Sequence, residues 1–110
     1  MRIISGLYKG RKIFEPTDNL TRPLKDLVRE SIFNILEHSS LSSKKIFKSN
    51  VLDLFSGSGS FGLECISRGA LKVIFVENYS KVLRILRKNI EKLNCAQKSK
   101  VITLDIYKQQ

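Results

Sequence analysis

A chain of 110 residues sets one domain as the starting expectation, and its 42% hydrophobic content is that of a folded protein rather than a disordered one. Twenty Lys and Arg against ten Asp and Glu leave a net charge of +10, an excess that attracts polyanions to so small a domain. No run of about 18 apolar residues occurs, and Met1-Arg2-Ile3-Ile4-Ser5-Gly6 lacks the long apolar stretch of a signal peptide. No membrane contact and a cytoplasmic location are therefore expected. Cys65 and Cys95 lie 30 residues apart with no CxxC pairing, and His38 is the only histidine. That set makes neither a zinc site nor a Ser-His-Asp arrangement, so no metal is expected and the thiols read as buried or incidental.

Along the chain, Arg2 to Gly6 and Arg11 to Glu15 are short β-prone runs flanking Leu7-Tyr8-Lys9-Gly10, a hairpin pattern. Pro16-Thr17-Asp18-Asn19 is a turn signal. Thr21-Arg22-Pro23 leads into a helix over Leu24 to Glu37, with Val28, Ile32, Ile35 and Leu36 at helical spacing and Pro23 in its first turn. Ser39 to Lys48 is a polar connector in which Ile46 and Phe47 are candidate anchors. From Asn50 the pattern changes. Val51 to Phe55 is a nearly continuous apolar run, as a strand buried on both faces would show. A Gly/Ser loop, a helix over Phe61 to Arg68 ending at Gly69, a strand over Leu71 to Val76, an amphipathic helix over Tyr79 to Asn94 and a strand over Lys100 to Leu104 follow. In that last helix Val82, Leu83, Leu86, Ile90 and Leu93 form one stripe. Lys81, Arg84, Arg87, Lys88, Glu91 and Lys92 lie off it. The order β-α-β-α-β gives an α/β fold with a parallel sheet. The organisation read from this is a basic hairpin-and-helix extension over 1–49 and a nucleoside-binding half over 50–110.

Gly57-Ser58-Gly59-Ser60-Phe61-Gly62 matches G-x-G-x-x-G between a strand and a helix, and Glu77 ends the next strand 15 residues after Gly62. Gly57 and Gly59 allow tight bends and remove side chains where a ligand must approach, and Gly62 lets the helix close on the sheet. Glu77 is placed to accept hydrogen bonds from ribose hydroxyls. The alternative, a glycine turn without a ligand, remains. A dinucleotide fingerprint has its first Gly directly after the strand, facing a pyrophosphate. Here Asp53 lies in the strand and Leu54-Phe55-Ser56 intervene. A carboxylate beneath the loop repels a pyrophosphate and suits an ammonium and a sulfonium, which points to S-adenosyl-L-methionine. The other reading of Asp53 is a brace that accepts backbone N–H groups, and both roles stay open. No GK[ST] follows, which excludes a phosphate loop. Asp105 closes the third strand at the expected adenine edge, with the Ile106 N–H beside it. Phe55, Ser56 and Asn78, flanking the loop and the second strand end, complete the candidate cofactor contacts.

The run Val51-Leu52-Asp53-Leu54-Phe55-Ser56-Gly57-Ser58-Gly59-Ser60-Phe61-Gly62-Leu63-Glu64 resembles motif I of class I methyltransferases. Together with Arg2-Ile3-Ile4-Ser5-Gly6, Lys9-Gly10-Arg11-Lys12, Arg22-Pro23 and Val28-Arg29-Glu30-Ser31-Ile32-Phe33-Asn34-Ile35-Leu36, it is similar to the bacterial 16S ribosomal RNA guanine-N2-methyltransferase family over essentially the whole chain. The resemblance implies a Rossmann-like class I methyltransferase fold, incomplete here, with an N-terminal β-hairpin and helix extension. It implies a cytoplasmic enzyme, expected as a monomer, that moves a methyl group from S-adenosyl-L-methionine to a guanine amine of ribosomal RNA in the small subunit. It further implies RNA and pocket contacts from Lys9, Arg11, Lys12, Arg22 and Arg29. Bare surface ion pairs are the other reading of the charged residues among these.

One departure stands out. The family's catalytic Asn/Asp-Pro-Pro-Phe/Tyr motif after a fourth strand has no counterpart, since Pro16 and Pro23 are the only prolines. No catalytic residue is assigned. The motif is expected beyond Gln110, and the chain reads as an N-terminal portion, inactive alone. Without a fourth strand, Val51 to Phe55 is expected to be an exposed sheet edge. Two other functions fit the same motif I: a methyltransferase acting on DNA, protein or a small molecule, and a non-catalytic module that holds cofactor or RNA.

Overall fold

In the computed structural model, strand β1 (Asn50–Asp53), strand β2 (Lys72–Val76) and strand β3 (Ser99–Ile102) pair side by side in that order, all parallel. The structure describes residues 1–16, 22–38 and 45–105, with side chains of the first helix described from Leu27 onward. The expected turn at 17–19, the connector at 39–44, Ile106, Gln110 and the side chain of Arg22 lie outside the described residues. The catalytic motif expected beyond Gln110 likewise has no place among them. Helix α1 spans Arg22–His38, α2 spans Ser60–Ser67 and α3 spans Ser80–Lys92. The expected β-α-β-α-β order is therefore present, with element ends displaced by at most two residues, the usual scatter of helix and strand termini.

Register places Asn50 opposite Lys72 and Asp53 opposite Phe75, then Val73 opposite Ser99 and Val76 opposite Ile102. All three carboxyl ends thus open on one side of the sheet, where open α/β folds bind ligands. The central strand β2 buries Val73, Phe75 and Val76. Strand β1 departs from the expected burial on both faces: it is an edge of the described sheet and its Leu52 is 60% exposed. That matches the expectation of an open edge.

The N-terminal ribbon is a hairpin only in part. Arg2 bridges Lys12 antiparallel, the Ile3 N–H donates to the Arg11 carbonyl at 2.9 Å, and the Ile13 N–H donates to the Met1 carbonyl at 3.0 Å. Beyond Ile3 the outgoing backbone leaves its partner. The N–H groups of Ile4 and Ser5 donate to the Glu64 carboxylate at 2.8 and 3.0 Å, and that of Leu7 donates to the Ser67 carbonyl at 2.8 Å. Helix α2 replaces the second strand as acceptor, so two continuous strands do not form.

One hydrophobic cluster joins Met1, Ile3, Ile13 and Phe33 of the N-terminal part to Leu63, Val73, Phe75 and Leu86 of the sheet half. The boundary at 49 and 50 is thus a change of sequence pattern across a continuous core. Helix α1 docks through a face other than the one its periodicity suggested. Phe33 is fully buried, stacks on Phe61 with centroids 5.0 Å apart, and receives the Arg68 guanidinium 4.4 Å from its ring centre. Leu36 packs partly against the same core. Val28, Ile32 and Ile35 are exposed. The helix carries apolar residues around more than one side, and the aromatic and cationic partners of Phe33 decide which side turns inward.

Candidate functional site

The loop after β1 is built from backbone hydrogen bonds. The Ser56 N–H donates to the Val76 carbonyl at 3.2 Å, tying the loop to the end of β2, and the Ser56 hydroxyl donates to the Asp53 carbonyl at 2.9 Å. The Gly59 N–H donates to the Ser56 carbonyl at 2.8 Å and closes a turn that feeds α2. Gly59 has φ of 91°, a left-handed conformation that glycine adopts without strain. A side chain there would overlap Leu86 and crowd Leu63, so Gly59 makes room for the core rather than for a ligand. Gly62 has the expected role: a β-carbon on it would overlap the Phe75 ring, so its absence sets the approach of α2 to the sheet. At Gly57, with φ of 54°, a β-carbon would meet nothing within 4 Å, which fits an open face.

Two cavities meet over this loop. The larger, about 640 Å³, lies between the N-terminal ribbon, α1 and the loop, and is lined by Val28, Arg29, Ile32, Ser56, Gly57 and Ser60 among others. The smaller, about 410 Å³, is lined by residues including Leu54, Asn78, Tyr79, Leu104 and Asp105. Phe55 and Glu77 line both. Of the expected cofactor contacts, Phe55, Ser56, Gly57, Glu77, Asn78 and Asp105 are thus brought to one continuous cleft. Asp53, Gly59 and Gly62 are among the lining residues of neither cavity.

Glu77 also braces the loop. Its Oε1 accepts the Gly57 N–H at 2.9 Å, and its Oε2 accepts the N–H groups of Asn78 and Tyr79 at 3.1 and 3.0 Å. A carboxylate has about four acceptor positions, so this use leaves room for a hydroxyl donor. Asp53 has the contacts that its bracing role requires. Burial pushes its carboxyl above the usual range, while hydrogen bonds from the backbone N–H groups of Phe55 and Gly62 and from Ser56 pull the other way. Its Oδ2 is buried without a hydrogen-bond partner.

Two buried polar residues with no role in the sequence reading hold the cleft wall together. Glu64, fully buried on α2, accepts Ile4 and Ser5 and pairs with Arg68 Nε at 2.9 Å. Asn89, fully buried on α3, accepts the Phe14 N–H at 2.6 Å and donates to the carbonyls of Phe14 and Ser58 at 2.8 Å each. It therefore joins the ribbon to the glycine loop. A polar residue mid-helix normally reads as a solvent-facing position, and only the interruption of a hydrophobic stripe hints otherwise.

The expected RNA contacts separate. Lys9, Arg11 and Lys12 are exposed on the ribbon. Arg11 donates to the Lys92 carbonyl at 3.0 Å at the end of α3, and the Lys92 ammonium lies 4.9 Å from the Phe14 ring centre. This brings Arg11 beside the exposed Lys92 of α3. Arg29 instead is buried in the cavity wall, with Nη2 donating to the Arg2 carbonyl at 2.7 Å. It does not present its charge on the outer surface, where a phosphate backbone would pass.

Both cysteines are buried free thiols, and burial raises the Cys65 pKa to about 12. Among the described residues no group of His, Cys, Asp and Glu clusters as metal ligands, and no helix is long and apolar enough to cross a membrane.

Comparison with known proteins bears on the same cleft. The family described as Conserved hypothetical protein 95 matches residues 1–110. The Ribosomal RNA small subunit methyltransferase D of Haemophilus influenzae is 41% identical over 99% of this chain and 55% of its own length. The protein of the same description from Escherichia coli strain K12 is 39% identical over 84% of this chain and 44% of its own. A solved Escherichia coli structure described as a candidate methyltransferase superposes with a TM-score of 0.75 at 33% identity, covering 96% of this chain and 52% of that one. The chain spans about half the length of the curated relatives it matches. The likeness fits the Rossmann-like methyltransferase fold expected from the glycine loop, in the partial form of three parallel strands with their helices.

Proposed function

The chain belongs to the Conserved hypothetical protein 95 family, and on that premise we propose that its cleft binds S-adenosyl-L-methionine for methyl transfer to the N2 amine of a guanine in small-subunit ribosomal RNA, in the cytoplasm. The observation that carries this reading is the position of Glu77, a carboxylate at the end of β2 that lines both cavities where they meet over the glycine loop. A ribose held there would leave the smaller cavity, with Asp105, for its base and the larger one, with Ser56 and Gly57, for its tail. The relatives' names supply the ribosomal RNA substrate, and the net charge of +10 suits it.

When bound, the cofactor supplies an electrophilic methyl on a sulfonium. The residues of this chain hold and orient it. A guanine amine is a weak nucleophile and needs an oriented acceptor beside the donor. The Asn/Asp-Pro-Pro-Phe/Tyr arrangement that provides one in the resembling family is not among these 110 residues. On this reading they bind cofactor without turning it over. Lys9, Arg11, Lys12 and Arg22 are proposed as phosphate contacts, and the chain as a monomer.

The test is a methyl-transfer assay on small ribosomal subunits, paired with calorimetry of cofactor binding, for this chain and for a protein that also carries the Pro-Pro motif. Binding by both with turnover only by the latter is the expected result. Absence of cofactor binding by both would refute it. Charge reversal at Lys9, Arg11 and Lys12 should lower the salt slope of RNA binding by about one per lost phosphate contact, and an unchanged slope would remove them from the interface.

A further inference from the structure

Arg29 is the one buried cation among the described residues that lines a cavity and leaves donors unused. Its side chain is 7% exposed, its Nη2 donates to the Arg2 carbonyl, and its Nε and Nη1 are buried with no hydrogen-bond partner. A guanidinium stays charged throughout the physiological range, and a buried charge without full pairing is costly. Such a group persists where something else offsets it, and Arg29 is part of the wall of the larger cavity. The Met1 ammonium in the same wall is already paired with Glu15 at 2.7 Å, so the local charge is not balanced at Arg29 by that contact.

We propose that Arg29 is a carboxylate-binding subsite that receives the amino-acid end of the cofactor. This rests on the cofactor reading above and assigns the far end of the larger cavity. Glu77 marks the ribose at the junction of the two cavities, and Asp105 marks the base in the smaller one. The remaining portion of S-adenosyl-L-methionine carries a sulfonium, an ammonium and a carboxylate. Only the last complements a guanidinium. Nε and Nη1 point from different edges of the guanidinium plane, so a carboxylate that reaches either is held by one charge-assisted hydrogen bond rather than by a two-bond fork. Nη2 is held by the Arg2 carbonyl, which fixes the plane before ligand arrives. The N-terminal ribbon thereby orients the residue that would hold the ligand.

The probe is decarboxylated S-adenosylmethionine, which keeps the adenosine, sulfonium and ammonium and lacks only the carboxylate. Calorimetry on the full chain is expected to show the complete cofactor binding about 10- to 100-fold more tightly than this analogue, the range of one hydrogen bond between charged groups. Arg29→Gln should remove that preference by weakening the complete cofactor alone, and Arg29→Lys should keep part of it. Glu77→Ala should weaken both ligands equally and leave the preference intact. Equal affinity of the unaltered chain for the two ligands would overturn the subsite without touching the cofactor reading. Equal weakening of both by a folded Arg29→Gln would assign the residue a structural role instead. Failure of either ligand to bind the unaltered chain would bring down the cofactor reading and this inference with it. The comparison in the unaltered chain needs no variant, so misfolding of Arg29→Gln does not shelter the proposal.

Discussion

The N-terminal ribbon and the parallel sheet are held by different forces. Strands β1 to β3 are joined by backbone ladders and packed by Val73, Phe75, Leu63 and Leu86, all fully buried. The ribbon contributes Met1, Ile3 and Ile13 to that core, yet its backbone is satisfied largely by side chains distant in sequence: Glu64, Ser67 and Asn89. The sheet spreads its cohesion over repeated ladder bonds and non-directional apolar packing that tolerates modest change, whereas the ribbon depends on single side-chain atoms. The cleft lies between the two regions, so its far wall depends on a few buried polar contacts.

The largest expected effect is at Glu64. Glu64→Ala strands Arg68 and the N–H groups of Ile4 and Ser5, and should lower stability by about 3–5 kcal/mol, the cost of breaking a buried ion pair from one side. Urea unfolding followed by circular dichroism measures it. A loss under about 1 kcal/mol would place this pair with solvent-exposed ones and dissolve the contrast. Asn89→Ala should cost about 1–3 kcal/mol through stranded backbone groups, with faster hydrogen exchange at Phe14. Unchanged exchange there would show that the ribbon holds without the amide. On the sheet side, Gly62→Ala should cost about 1–3 kcal/mol by overpacking against Phe75, and it should also widen the α2–sheet spacing. No change in urea midpoint would mean that the ring moves aside.

The smallest effect concerns the thiols. With the Cys65 pKa raised to about 12 by burial, the thiolate fraction at pH 8 is about one in ten thousand, since each unit is tenfold. Alkylation of the native chain at pH 8 should therefore be negligible at Cys65 and become rapid only in urea. Rapid native labelling would mean that the wall of α2 opens readily.

What could be read from the residues divides along the same line. The glycine loop, the alternation of strands and helices, and the acidic ends at Glu77 and Asp105 were legible because they depend on local spacing and chain direction. The docking face of α1 was not, because Val28, Ile32 and Ile35 have helical spacing as good as that of Arg29, Phe33 and Leu36. Only the Phe61 ring on α2 and the Arg68 cation at its end choose between them. Asp53 had two readings that differ only in which donors reach it. Gly59 was expected to face a ligand and faces Leu86 instead, a neighbour 27 residues away that no local pattern announces. Glu64 and Asn89 were illegible for a related reason: their partners lie 60 and 75 residues away in the chain.

The most direct measurement is calorimetric titration of the 110-residue chain with S-adenosyl-L-methionine, repeated on Glu77→Ala and with a nicotinamide dinucleotide. One site per chain, weakened by about 1–3 kcal/mol in the variant through lost charged hydrogen bonds and without response to the dinucleotide, is the predicted result. Affinity for the dinucleotide in its place, or an affinity for S-adenosyl-L-methionine that ignores Glu77, would contradict it.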